Sequence, residues 1–379
     1  MSTADTSGTR WNSAIIAIVL LSVVSIGIHA VPLVTWDGRG TPLPSTMATS
    51  GSTTTASPPA PPLAAPPTGI AGPTATHSAG PAATPAAMPV YDRACLRRDN
   101  PATGAKLPAG DPYGDDIAEL GESAQLQRLY AVQAGVLVPL DGLGAPRRCD
   151  EQLWALIAAA TPTLVRHLDE LLVFDSDPDP STNEWVIEGE ATPKQVGPNE
   201  FDDDHWRLSF APNGLDRARL AWLVAHELAH IASMNGGQTL EGIGPDVCAT
   251  WHTGTGCLLR DSFLARYLTN TWDDELWDAW DAADRAPTER ARRTAYSRFY
   301  DAHQESFVSD YAAWHPIEDF AESFAMWCTH AANEPDRASL PTAKPTDSGR
   351  KLAWFDEARR DLLPAFGPGC AMLAEFASS

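Results

Sequence analysis

The chain has 379 residues and a formal net charge of −22, from 27 Lys and Arg against 49 Asp and Glu. Because phosphate contacts need clustered Lys and Arg, this balance excludes a nucleic-acid surface as the default interpretation. The acidic clusters at residues 202–204 and 273–275 lack the spaced loop of a calcium site, so we interpret them as solvated faces.

Residues 14–34 form an apolar run that is long enough to span the hydrocarbon core of a bilayer. Arg10 precedes the run, which favours residues 1–13 in the cytoplasm and the remainder outside it. A cleaved signal peptide ending at Ala30 is the alternative, but Ile28 is a poor match to the small residue expected two positions earlier. We therefore predict a single-pass signal anchor in the cell membrane.

Residues 35–90 are dense in Pro, Thr, Ala, Ser and Gly and poor in aromatic residues, which predicts a disordered, extended linker. Residues 91–379 have the length of one large domain and contain all six cysteines. Outside the membrane an even number of cysteines indicates disulfides. Because each pair closes a local loop, we expect Cys95 to pair with Cys149, Cys248 with Cys257, and Cys328 with Cys370.

The first elements of this domain predict an α+β fold with a small sheet. Residues 151–171 have helical periodicity with a break near Pro162, and residues 172–174, 184–188 and 206–210 have the composition of short strands. The last of these strands precedes the next helix directly, so we expect it to lie beside that helix and to be able to bind an extended peptide.

Residues 216–234 predict a long helix that contains the motif H-E-x-x-H as His226, Glu227 and His230. Asp216 is a candidate N-cap, and no Pro or Gly interrupts the run. On a helix the positions i and i+4 share one face, so both imidazoles can bind one metal ion. A chance occurrence of the pentapeptide is the alternative. Apolar residues on nearly every side predict a buried helix, and metal ligation would explain polar groups there.

Residues 238–304 resemble an insertion or a mainly helical second lobe. Cys248 and Cys257 would close a loop at its start, and we interpret its tryptophans as core residues rather than as a ligand platform.

A third ligand is required, because catalytic zinc normally has three protein ligands and a water. The extended motif with a third histidine fails, since Ser233 and Gly236 occupy its Gly and His positions. Downstream, Pro316 suits the first turn of a helix on which Glu318 and Glu322 share one face. One carboxylate on the metal, with the other accepting a hydrogen bond from a ligating imidazole, would stabilise both.

Other side chains are alternative third ligands. Glu322 could replace Glu318, and His315 precedes the same helix, although we expect it to be the N-cap. His252, Glu241 and Asp246 are weaker alternatives.

With Tyr311, these residues carry a resemblance to a known family. H-E-x-x-H followed by a helix with E-x-x-x-E is similar to the gluzincin metallopeptidases. Tyr311, seven residues before E-x-F-A-E-x-F, resembles the catalytic domain of anthrax lethal factor and related secreted bacterial zinc peptidases. The resemblance covers about residues 171–327. It implies a zincin-like fold, with Glu322 as the partner of a ligating histidine.

The resemblance also implies the roles of the central residues. His226, His230 and Glu318 would bind zinc, Glu227 would be the catalytic base, and Tyr311 would place a phenol at the metal. The chain departs from the family in the long stretch between the two motif helices, which leaves the shape of the cleft open.

The function expected from the sequence is a membrane-anchored, extracytoplasmic zinc metalloendopeptidase that hydrolyses protein or peptide substrates through a zinc-bound water. The alternative is a catalytically inactive, zinc-stabilised binding or cell-wall-associated domain. An amidase acting on non-peptide substrates is a third hypothesis.

Overall fold

The computed structural model describes residues 90–97, 105–114, 120, 124–140, 142–176, 187–198, 200–331, 347–366 and 369–379. The anchor predicted at residues 14–34 and almost all of the predicted linker lie outside these residues. Within the described ranges, no helix combines the length and the apolar composition that crossing a membrane requires.

Five strands form a mixed sheet in the order β2-β1-β3-β5-β4. They are β1 (Gln125–Gln133), β2 (Val136–Pro139), β3 (Leu168–Asp175), β4 (Gly189–Gly197) and β5 (Glu200–Phe210). β3 and β5 are parallel, and the other neighbouring pairs are antiparallel. The strands predicted at residues 172–174 and 206–210 are confirmed within β3 and β5, whereas the hairpin of β1 and β2 was not predicted.

The described residues also form eight α-helices and a small hairpin. The helices are α1 (Arg148–Ala160), α2 (Arg217–Met234), α3 (Phe263–Thr271), α4 (Asp274–Asp284), α5 (Glu289–His303), α6 (Pro316–Met326), α7 (Asp347–Phe366) and α8 (Gly369–Ser378), and the hairpin pairs β6 (Thr239–Glu241) with β7 (Gly256–Leu258). The predicted helix over residues 151–171 ends early, at Ala160, and its last residues belong to β3. Pro162 accounts for the break, because its ring and missing N–H do not suit a helix interior.

The expectation that residues 206–210 bind a peptide was wrong. β5 is paired on both sides, by β3 and by β4, so its backbone groups are used within the sheet. The edge strand on this side of the sheet is β4, which pairs with β5 alone. Of the strand predicted at residues 184–188, residues 184–186 lie outside the described residues and residues 187–188 are not in a strand; β4 begins at Gly189.

α2 lies at the centre of the core, and the Asp216 side chain caps it by accepting a hydrogen bond of 2.7 Å from the backbone N–H of Arg219. Helices α3 to α5 share one continuous core with α2 and α6 rather than closing a core of their own. The predicted second lobe is therefore helical but packed into the main domain.

The three predicted disulfides are confirmed. Cys95–Cys149 connects the segment before the sheet to α1, and Cys248–Cys257 connects the loop after β6 to β7. Cys328–Cys370 connects the residues after α6 to α8, which packs against α2.

Candidate metal centre

Three buried donor atoms converge where α2 packs against α6. His226 Nε2 lies 3.1 Å from His230 Nε2 and 3.1 Å from Glu318 Oε2, and His230 Nε2 lies 3.5 Å from the same oxygen. Each of the three side chains is buried. The structure thus brings together the residues that the sequence suggested as ligands, in a group that could hold a metal ion.

The spacing of these atoms fits a small tetrahedral ion. With metal–ligand bonds of about 2.0–2.1 Å, two corners of a tetrahedron lie about 3.3–3.4 Å apart. The three observed separations of 3.1, 3.1 and 3.5 Å bracket this value. The donor set of two imidazole nitrogens and one carboxylate oxygen is also one that zinc accepts.

The charge around these atoms favours a cation. Three buried carboxylates, those of Glu227, Glu318 and Glu322, surround the two imidazoles. Burial alone would lower the pKa of His226, but the carboxylates of Glu318 and Glu322 reverse this and raise it to about 10. Burial likewise opposes ionisation of Glu318, yet His230 and His226 hold its pKa well below the usual range. A positive charge is therefore strongly stabilised between these groups.

Glu322 orients the first histidine. Its Oε1 lies 3.0 Å from Nδ1 of His226 and accepts a hydrogen bond of 3.1 Å from the Trp222 indole, while its Oε2 accepts one of 2.7 Å from the Ser309 hydroxyl. A proton on Nδ1, the nitrogen beside the Glu322 carboxylate, would leave the lone pair of Nε2 free to bind a metal ion.

Glu227 lies next to the donor group without joining it. The side chain is 2% exposed, and among the described residues its Oε2 has no hydrogen-bond partner. Burial raises the pKa of this carboxyl, and the charges of His226 and His230 partly offset the effect. Its Oε1 approaches Gly189 at the start of β4 so closely that a Cβ there would lie 2.8 Å away.

Tyr311 completes the group from a short 3-10 helix before α6. Its ring centroid lies 5.8 Å from that of His226, and the charge of the Glu318 carboxylate acts on its phenol. Burial, with the nearby charges of Glu318 and Glu227, raises the pKa of Tyr311 well above its ordinary value. The phenol therefore keeps its proton and remains a hydrogen-bond donor.

The alternative ligands are engaged elsewhere. Nδ1 of His315 accepts a hydrogen bond of 3.3 Å from the N–H of Ile317, which makes His315 the N-cap of α6 as expected. His252 is bonded to a backbone carbonyl, and the Glu241 carboxylate accepts a hydrogen bond from a backbone N–H. The only candidate group among the described His, Cys, Asp and Glu residues is His226, His230 and Glu318.

The edge of β4 runs beside this group. Ala211 donates its N–H to the carbonyl of Glu188, so the backbone groups of Glu188 point toward the β5 side. In an antiparallel pair, the N–H and C=O groups of successive residues point alternately toward the partner strand and away from it. Gly189 and Ala191 therefore direct their N–H and C=O groups outward, away from β5. Further along β4, the N–H of Gln195 donates a hydrogen bond of 2.6 Å to the carbonyl of Pro112.

A cavity of about 480 Å³ opens between β4, the metal-ligand residues and the insertion. His230 and Glu318 line its inner end, whereas Trp251, Trp280 and Arg292 come from residues 238–304. Sequence reasoning missed this cavity and the edge role of β4. Pro193 was an available signal for β4, because proline within a sheet is largely confined to edge strands. No sequence signal marked Trp222 or Ser309.

No protein family, no curated protein and no solved structure matches the chain.

Proposed function

We propose that this protein is a zinc-dependent endopeptidase, anchored in the cell membrane, with a zincin-like domain outside the cytoplasm. The observation that carries the proposal is the convergence of His226, His230 and Glu318 on one point beside the buried Glu227 carboxylate.

The number of donors supports a catalytic rather than a structural zinc. Structural zinc is usually enclosed by four protein ligands, whereas catalytic zinc has three and keeps one position open. The described residues bring three donors together here. When bound, zinc would supply a Lewis acid that polarises a scissile carbonyl and makes water more acidic.

The residues around the donor group have suitable chemistry for peptide hydrolysis. Oε2 of Glu227, which has no partner among the described residues, can accept a proton from the attacking water and return it to the leaving amine. The protonated phenol of Tyr311 can donate a hydrogen bond to the oxyanion of the tetrahedral intermediate. Glu322 holds the imidazole of His226 in position through its Nδ1.

A peptide substrate would bind as an additional strand on β4. The outward N–H and C=O groups of Gly189 and Ala191 can pair with an extended backbone, which gives affinity with little dependence on sequence. The same strand approaches Glu227, so a peptide bound there would pass the reactive carboxylate.

Two independent features support the proposed compartment. Residues 14–34 are apolar enough for a membrane anchor, and three disulfides are typical of domains outside the reducing cytosol.

The test compares wild type with Glu227→Gln on a peptide library read by mass spectrometry. We expect about one zinc per chain in both proteins and cleavage only by the wild type, because the amide binds no proton but leaves the ligands in place. Glu151→Gln, an exposed position in α1, is the matched control and should cleave normally.

Cleavage by Glu227→Gln would refute the assigned base. Zinc binding without cleavage of any peptide by the wild type would refute the peptidase and leave a zinc-stabilised binding domain.

A further inference from the structure

The cavity next to the donor group runs between two chemically different ends. It begins at His230 and Glu318 and reaches Asp284 at the C-terminus of α4 and Arg292 in the first turns of α5. His315 connects the two ends, since charges from both Glu318 and Asp284 act on its ring. His230, Glu318, Asp284 and Arg292 therefore line one and the same cavity.

Aromatic rings form part of the wall, which also carries Glu190 and Thr192 from β4. The His315 ring lies 5.3 Å from the ring of Trp251 and 5.5 Å from that of Trp280. The Trp280 indole donates a hydrogen bond of 3.0 Å to the carbonyl of Trp314, which holds that ring in place. Trp206 lines the opposite side from β5. These rings favour a flat apolar group over a branched or strongly hydrated one.

The far end carries one negative and one positive side chain. Asp284 and Arg292 lie close together because both flank Tyr296, whose hydroxyl donates a hydrogen bond of 2.7 Å to Oδ1 of Asp284. Arg292 contacts Glu289 through Nη2 at 3.5 Å, but its buried Nε has no hydrogen-bond partner among the described residues. The N–H of Arg292 Nε is therefore a donor without a partner, and it lies close to the Asp284 carboxylate, which is an acceptor.

Only some substrate side chains suit both ends. Arg292 would repel a cationic tip, and Asp284 would repel an anionic one. A hydroxyl is neutral and can donate to Asp284 while it accepts from Nε of Arg292. We propose that this cavity is a specificity site that binds a tyrosine side chain of the substrate, next to the bond that is cleaved.

This inference rests on the proposed peptidase function, and it makes Arg292 and Asp284 specificity-determining residues. Phenylalanine would fill the aromatic part but leave Nε of Arg292 buried without a partner. A hydrogen bond that involves a charged group discriminates by about 10- to 100-fold.

The experiment measures binding to the zinc-loaded full chain in detergent by calorimetry. The probes are peptide hydroxamates that differ in one side chain, which is that of Tyr, Phe, Lys or Glu. We expect the tyrosine probe to bind about 10- to 100-fold more tightly than the phenylalanine probe. In Arg292→Met this advantage should disappear while the affinity of the phenylalanine probe is retained. Arg290→Met, an exposed position in the same turns of α5, is the matched control.

Equal affinities for the tyrosine and phenylalanine probes would overturn the inference, and so would tightest binding of the Lys or Glu probe. If the chain binds no zinc, the same side chains are compared as plain N-acetyl peptide amides, whose recognition in the cavity needs no metal. A tyrosine preference without any cleavage of the peptide library would refute the peptidase alone. Cleavage without a tyrosine preference in binding would refute the specificity site alone.

Discussion

Gly189 provides a test of how the sheet positions Glu227, the proposed catalytic base. A Cβ at this position would lie 2.8 Å from Oε1 of Glu227 and 2.9 Å from Cδ1 of Leu223. Ordinary contacts of a carbon atom are about 3.5–4.0 Å, so Gly189→Ala forces a displacement of about 0.5–1 Å. The carboxylate is the end of a flexible side chain and will move more easily than the core residue Leu223.

The expected consequence is a selective loss of turnover. Misplacing a reactive group by about 1 Å can lower a rate about 100-fold, so we expect kcat to fall about 10- to 100-fold, which corresponds to about 1.4–2.7 kcal/mol. KM should change little, because the backbone groups of β4 remain. Zinc content should stay near one per chain, since the three atoms nearest to the added Cβ belong to Glu227 and Leu223 rather than to the proposed ligands. Overpacking should lower the free energy of unfolding by about 1–3 kcal/mol.

The assay combines steady-state kinetics on a cleaved peptide, zinc analysis and urea unfolding. Gly244→Ala is the matched control, because nothing lies within 4 Å of a Cβ there and its φ of −68° suits alanine. Unchanged kcat, loss of zinc, or recovery of kcat when Leu223→Ala is added to Gly189→Ala would refute the reasoning.

Three further predictions follow from other contacts. Glu322→Ala removes the carboxylate that lies 3.0 Å from His226 Nδ1 and should weaken zinc binding about 10- to 100-fold, measured in competition with a chelator. Glu322→Gln should have an intermediate affinity. An unchanged zinc affinity in Glu322→Ala would contradict the positioning role of Glu322. Burial raises the pKa of Asp203 from 3.8 to about 7, so the folded chain binds a proton that the unfolded chain releases between these values. The free energy of unfolding should therefore fall by up to about 4 kcal/mol as pH rises from 4 to 8, and urea unfolding of Asp203→Asn should lack this slope. Lys351 Nζ lies 2.6 Å from Oδ2 of the buried Asp319. Lys351→Met would leave the Asp319 charge buried without its cation and should lower the free energy of unfolding by about 3–5 kcal/mol. A loss below about 1 kcal/mol would show that the ion pair contributes little to stability.

Local patterns accounted for much of the candidate site. The pair His226 and His230 follows from helical periodicity alone, because residues four apart lie on one face of any helix. The capping role of Asp216 and His315, and the even number of cysteines, are also local signals that the structure bears out.

Tertiary packing decided which distant residues meet. Glu318 Oε2 lies 3.1 Å from His226 Nε2 because α6 packs against α2. No spacing in the sequence encodes the distance between two helices. The same holds for Trp222 and Ser309, which reach Glu322 only because three separate segments converge on it.

The sequence by itself determined a buried helix with two histidines on one face and a candidate anchor, because hydrophobic periodicity and helix geometry are properties of neighbouring residues. Only the tertiary structure decided that β4 rather than β5 is the edge strand, that Gly189 borders Glu227, and that the insertion provides the cavity with Trp251 and Arg292. These outcomes depend on strand order and on packing between segments that are far apart in the chain. The free energy of folding that selects them comes from long-range contacts, which no local sequence pattern specifies.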